Sequence, residues 1–273
     1  ALGDARAARR LAEQRQQQLE RMVDFQQSML DSVDISAMGH AMANARSNGA
    51  ESSPSGSTDL ARRLLDTFVV NHALDRIDHD FADAPALAAD VRQSLARVLT
   101  NIGSYDHAAT ELAHVLAMRR RIEPADSDGV LGTQLDLAHV YLRQGDMASA
   151  GALYSGVVAA TALRGATDPL RVRASMGRAR VLFERGYLGD ARQEQQSLFK
   201  LLSARLPASD PMLLRLRRDL VSTLIGLGMR DEALTLAKPM VGLDRTAFGT
   251  EAPETLDAMV TLAQLQHYRH HFE

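Results

Sequence analysis

The 273-residue sequence contains no cysteine, which excludes disulfides, iron–sulfur clusters, thiolate zinc sites and a cysteine nucleophile. It has no tryptophan and only 4% aromatic residues. That is low for a β-sandwich or barrel and suits helices packed through small side chains. Lysine is nearly absent: Lys200 and Lys238 stand alone, so almost all the positive charge is arginine. The net charge of −3 argues against general nucleic-acid binding, which needs a basic surface to displace counterions. No apolar run reaches the roughly 18 residues of a membrane span. Nothing at the start resembles a signal peptide, and the first residue is Ala1 rather than Met. The expectation is a piece of a longer protein, long enough to bury a substantial core.

Good helix formers dominate residues 3–33, and no Pro or Gly interrupts after Gly3, so one long helix is expected there. Leu19, Met22, Val23, Met29, Leu30 and Val33 share a face at helical spacing. The first half, with Arg9, Arg10, Gln14 and Arg15, is too polar to pack all round and reads as a solvated stalk or weak coiled coil. A shorter amphipathic piece, Ile35 to Ala45, completes a stalk over residues 1–46. Residues 47–57, rich in Ser and Gly, form a flexible linker by composition. Thr58 or Asp59 then caps a helix running to about Asp80, which opens a repeat domain over 58–273.

The informative feature of that domain is an internal repeat. Gly103, Gly145, Gly186 and Gly228 recur at intervals of 42, 41 and 42 residues. Five residues after each stands Ala108, Ala150, Ala191 or Ala233; four before each stands Leu99, Tyr141, Leu182 or Leu224. Seven before each is Ala96, Ala138, Ala179 or Val221. Eight before is Leu95, Leu137, Arg178 or Leu220, with Arg178 the one break. Asp168-Pro169, Asp210-Pro211 and Ala252-Pro253 recur in the same register. A capping residue followed by Pro starts a helix, and the glycine supplies the left-handed backbone that ends it. The later alanine lets a second helix approach closely. Each unit is a helical hairpin whose apolar face only a neighbour can cover, so the hairpins stack.

These offsets resemble the tetratricopeptide repeat, and the 42-residue period resembles its kinesin-light-chain variety. The segment Phe248 to Leu256 (FGTEAPETL) resembles that variety's inter-repeat loop. The resemblance implies an all-α fold, a right-handed superhelical array of hairpins preceded by the long amino-terminal helix. Leu262 and Ala263 fall in register for a fifth first helix, but His270 stands where its turn glycine belongs. The fifth unit is therefore expected to be incomplete or to end the array.

Arg15 to Leu30 (RQQQLERMVDFQQSML), followed by Val33 to Gly39 (VDISAMG), resembles the juxtamembrane region of bacterial receptor-type serine/threonine protein kinases. The resemblance implies a cytoplasmic kinase domain and one membrane span upstream. It implies a tetratricopeptide array on the periplasmic side, and signal transduction as the parent's role.

The chain itself carries no kinase machinery. A glycine-rich phosphate loop, a strand lysine, a His-Arg-Asp loop and an Asp-Phe-Gly are all missing, so it is expected to be non-catalytic and to need no cofactor. His267, His270 and His271 sit at i, i+3 and i+4, a spacing that shares one helix face. They read as solvated imidazoles of a terminal helix rather than a metal site, since no second shell is evident. Asp78-His79-Asp80 reads as a helix-end polar cluster, because neighbouring side chains on a helix diverge.

The better candidate is the concave groove lined by the first helices. Six residues before each turn glycine stand Arg97, His139, Arg180 and Ser222; thirteen before stand Asp90, Gly132, Arg173 and Arg215. Ten before stand Gln93, Leu135, Met176 and Arg218, with Arg143 at the rim. Together these make a basic inner face, and arginine forks suit carboxylates. The expected ligand is a protein or peptide segment, acidic or extended, with no nucleic acid and with homodimerisation through the amino-terminal helix. The competing expectation is that these arginines form a solvated face or pair with Asp136, Glu184 and Asp219. The Lys/Asn set with which some tetratricopeptide domains clamp a terminal carboxylate is not matched. Two other readings stay open: a cytosolic peptide-responsive regulator attached to a DNA-binding domain, and an envelope assembly scaffold.

Overall fold

The computed structural model describes residues 70–272, together with Gln16, Val23, His40 and Ala43. Gln16, Val23, His40 and Ala43 are helical and exposed. The rest of the expected stalk, the 47–57 linker and the cap at Thr58 or Asp59 lie outside the described residues. Among those residues the fold is all-α, with no strand. The chain divides into two compact units, one ending at Ala125 and one beginning at Asp126.

In the first unit α1 (Asn71–Asp80), α2 (Pro85–Ile102) and α3 (Tyr105–Ile122) pack together. Pro85 occupies the first turn of α2, where its missing N–H costs nothing. Ile77, Phe81, Leu99, Leu112 and Val115 are buried, each worth about 2 kcal/mol of transfer free energy. Ala96 and Ala108 sit fully buried between α2 and α3, as close axial approach requires. Two buried arginines tie the helices. Arg92 of α2 donates to Glu111 of α3 and to Asp78 of α1, each at 2.5 Å. Arg119 of α3 donates to Asp90 at 2.5 Å and to Gln93 at 2.9 Å, both on α2.

The second unit begins with the hairpin of α4 (Asp128–Gln144) and α5 (Met147–Ala160). A 3-10 turn at Ala162–Arg164 leads to the hairpin of α6 (Pro169–Glu184) and α7 (Leu188–Ser203). Then follow α8 (Pro211–Gly226), α9 (Arg230–Ala237), α10 (Met240–Phe248) and α11 (Pro253–Phe272). The starts of α6 and α8 follow the expected chemistry. Asp168 Oδ1 accepts from the N–H groups of Leu170 and Arg171 at 3.0 and 3.1 Å. Asp210 Oδ1 accepts from Met212 and Leu213 at 2.9 and 3.4 Å. Ser127 performs the same task for α4, accepting from Val130 N–H at 3.2 Å.

All four turn glycines take left-handed backbone, with φ between 75° and 85°. In every turn the residue after the glycine donates its N–H to the carbonyl four residues before the glycine, at 2.9 Å. The acceptors are Leu99, Tyr141, Leu182 and Leu224, so one motif closes all four first helices. Ala150, Ala191 and Ala233 are fully buried, like Ala108. Arg178, the break in the apolar register, turns to α7 and holds Glu194 with bonds of 2.6–3.1 Å.

One departure from the simple hairpin is the second helix of the fourth unit, which breaks at Lys238-Pro239 into α9 and α10. Proline has no N–H for the ladder, and its ring crowds the preceding turn. α11 is helical through His270 to Phe272. The side chains of His270 and His271 lie outside the described residues.

Candidate ligand groove

Within the second unit the first helices α4, α6 and α8 are neighbours and line a groove of about 730 Å³. α4 contributes Leu135, Asp136, His139 and Arg143; α6 contributes Arg173, Met176, Gly177, Arg180 and Glu184; α8 contributes Arg215 and Asp219. Of the side chains marked by sequence, the groove brings together His139, Arg143, Arg173, Arg180 and Arg215. Arg97 is exposed on α2 of the first unit. Arg218 and Ser222 of α8 are not among the lining residues. Arg218 donates to buried Asp244 of α10 at 3.1 Å and lies 5.8 Å from the centre of the Phe248 ring. The Ser222 hydroxyl donates to the Arg218 carbonyl at 3.0 Å.

Three carboxylates accompany the arginines. Asp136 pairs with Arg173 at 3.2 Å, Glu184 with Arg180 at 2.6 Å, and Asp219 with Arg180 at 3.8 Å. Arg180 also lies 5.1 Å from the centre of the Phe183 ring. Arg173 and Arg180 thus pair in the way the competing expectation described. Arg215 differs. It is exposed in the groove and makes no ion pair or hydrogen bond to protein among the described residues. Burial raises the pKa of the Asp219 carboxyl, against the opposing pull of Arg215, Arg180 and Arg218.

The groove floor holds a residue that the first-helix register could not reveal. Tyr154 comes from the second helix α5, is 5% exposed and lines the groove. Burial pushes its phenol up to about 12, against the lowering effect of Arg215 and Arg173. It is therefore a neutral donor at any ordinary pH. Its hydroxyl has no protein hydrogen-bond partner among the described residues. The ring lies against Gly177, where any Cβ would overlap it. Gly177, Asp136 and Asp219 all stand nine residues before a turn glycine, a row that the count at six, ten and thirteen passes over. The available signal was a glycine inside a helix, which disfavours the helix by about 1 kcal/mol relative to alanine.

His139 is held neutral. Burial lowers its pKa below the usual 6.5, helped by Arg215, Arg143 and Arg173 and opposed by Asp136. Below pH 6.5 the unfolded chain gains a proton here before the folded one does. This contribution to stability is present above pH 6.5 and is lost as pH falls through the folded pKa. Wild type should therefore lose more stability than His139→Gln as pH falls below 6.5, read from urea midpoints at each pH. Parallel profiles would show that the histidine titrates normally.

No protein-family model matches the sequence, and a comparison with curated proteins gives no match. Solved structures do match in fold. A putative kinesin light chain from Podosopora anserina with nearly identical TPR-like repeats has a TM-score of 0.54 at 21% identity, covering 69% of this chain and 93% of that one. BtubC (BKLC) from P. vanneervenii has a TM-score of 0.56 at 17% identity, covering 86% and 85%. The quorum sensor NprR from B. thuringiensis in complex with its cognate peptide NprX has a TM-score of 0.53 at 16% identity, covering 93% and 73%. The fold is that of a tetratricopeptide-like helical repeat protein.

Proposed function

We propose that this chain is a non-catalytic peptide-binding region whose groove on α4, α6 and α8 takes an extended segment bearing a carboxylate. The observation that carries the reading is Arg215, an exposed groove guanidinium with no ion pair or hydrogen bond among the described residues, near enough to Tyr154 and His139 for its charge to bear on both. A carboxylate there gains a charge-assisted bond without breaking an existing pair. The Tyr154 hydroxyl supplies a second, neutral donor. The groove is large enough for several residues of extended chain, and its walls at Leu135, Met176 and Leu142 are apolar. Likeness to a sensor solved with its cognate peptide supports the same use of the fold.

Panning a random-peptide library with free carboxyl ends against the full chain tests this. Enriched peptides should lose binding when their carboxylates are amidated, and Arg215→Ala should weaken the unmodified ones about tenfold, the scale of one charge-assisted bond. Stability should fall by no more than about 1 kcal/mol, because Arg215 is exposed and its pull on Asp219 acts without a close ion pair. Full affinity in Arg215→Ala, or no enriched peptide, would sink the reading.

The amino-terminal resemblance extends the proposal. The parent is a membrane-anchored bacterial serine/threonine kinase, and the array senses or scaffolds in the periplasm. The stalk over residues 3–33 then passes ligand capture on as a change in dimerisation. The natural sequence before Ala1 decides this: an apolar span of about 20 residues supports it, and a helix-turn-helix there favours the cytosolic regulator.

A further inference from the structure

His139 is a titratable side chain that the fold places in the groove and leaves without a protein partner. It stands on α4 between Asp136, about one turn before it, and Arg143, about one turn after it, and all three line the groove. The half-buried imidazole makes no hydrogen bond or ion pair among the described residues. Neither ring nitrogen is sealed inside the protein, so both are open to the groove. Polar side chains drawn out of water generally keep a partner; here the groove's contents can supply one.

The charges around the ring come from three helices. Asp136 and Arg143 share α4 with it, Arg173 comes from α6 and Arg215 from α8. The packed helix α5 has no charged residue and offers only the neutral Tyr154. Arg180, Glu184 and Asp219 line the same groove and engage one another. Burial works against the imidazolium, Arg215, Arg143 and Arg173 add to that, and Asp136 alone opposes them. A carboxylate seated on Arg215 reverses the balance. It offsets the cation that weighs most on His139 and brings a negative charge of its own, so the imidazolium becomes the favoured form.

We infer that His139 is a further contact for the ligand's carboxylate, taking a proton from solvent as the groove binds and donating it in a charge-assisted hydrogen bond, so that affinity rises as pH falls. The inference rests on the carboxylate reading of the groove proposed above. Linkage is reciprocal: if binding brings in a proton, added protons bring in the ligand. The extra affinity is absent well above the pKa of His139 in the complex, grows as pH falls through that value and levels off below the pKa of the free protein. Asp219 is the competing source of such behaviour. Burial raises its carboxyl, and protonating it would also favour an anion by removing a like charge. The two differ in which side chain has to be present.

The test takes a histidine-free peptide from the panning, one whose binding to the full chain is lost on amidation. Its own carboxylates, with pKa values of about 4, stay largely ionised down to pH 5.5. Isothermal titration calorimetry at pH 7.5, 6.5 and 5.5, in two buffers of different ionisation enthalpy, gives Kd and the number of protons taken up. Circular dichroism at each pH confirms that the chain stays folded. Wild type should bind at least about threefold more tightly at pH 5.5 than at pH 7.5, the effect of a shift of about half a pKa unit, with net proton uptake in between. His139→Gln should show neither. A smaller change in wild type, or proton uptake that survives in His139→Gln and so belongs to Asp219, would overturn the inference and leave the carboxylate reading standing. Failure to find any amidation-sensitive peptide would overturn both.

Discussion

Replacing Arg92 by alanine should destabilise the first unit by about 3 kcal/mol, because it leaves a carboxylate buried without its partner. Arg92 is 3% exposed and serves two helices at once, Glu111 on α3 and Asp78 on α1. The two partners are not equivalent. The Asp78 side chain is 66% exposed and rehydrates easily, so its share is that of a surface pair, under about 1 kcal/mol. The Glu111 side chain is 11% exposed and has no such recourse. The nearby carboxylates also hold the Arg92 pKa up against burial, which acts the other way and is the largest single influence. Urea unfolding followed by circular dichroism measures the change. Arg92→Ala/Glu111→Leu should recover part of the loss, since removing both partners removes the unpaired charge. If Arg92→Ala alone leaves the midpoint unmoved, the ion pairs are ornamental and the apolar contacts of α2 hold the unit.

Gly177→Ala should cost about 1 kcal/mol net, with the opposite sign from an ordinary glycine-to-alanine change inside a helix. Propensity alone predicts a gain of about 1 kcal/mol. Here the new methyl would overlap the Tyr154 ring, which is nearly buried and cannot swing clear without unpacking α5. Overpacking of this kind costs about 1–3 kcal/mol and exceeds the propensity term. The same substitution moves the groove floor, so peptide binding should weaken along with stability. Gly177→Ala/Tyr154→Leu should restore stability by removing the ring that the methyl strikes. Thermal unfolding of the two single variants and the double variant gives the coupling directly. A stabilised Gly177→Ala would mean that the ring has room to move.

The hairpin unit was legible in the sequence because each of its parts has a local cause. A glycine in left-handed backbone, an aspartate capping the next helix and an alanine at the close approach are one-residue requirements repeated at a fixed interval. Gly103 to Gly228 and Ala108 to Ala233 therefore stand where the period put them. The missing glycine at 270 was equally readable, and α11 runs on through it. The break at Pro239 was visible as a residue and passed over as a consequence.

The groove was legible only in part, because its membership depends on which side chains meet across helices. Counting along first helices found His139, Arg143, Arg173, Arg180 and Arg215 on a common face. It could not separate Arg180, in ion pairs with Glu184 and Asp219, from Arg215, whose charge bears on Asp219 without a close ion pair, since their register positions announce the same exposure. Nor could it place Tyr154, which belongs to another helix and reaches the groove through the gap left by Gly177. The sequence by itself determined the hairpin, its period and its turns, because local backbone chemistry dictates them. Only the tertiary structure decided how each groove arginine is paired and what fills the groove floor, because those depend on distances between helices far apart in the chain.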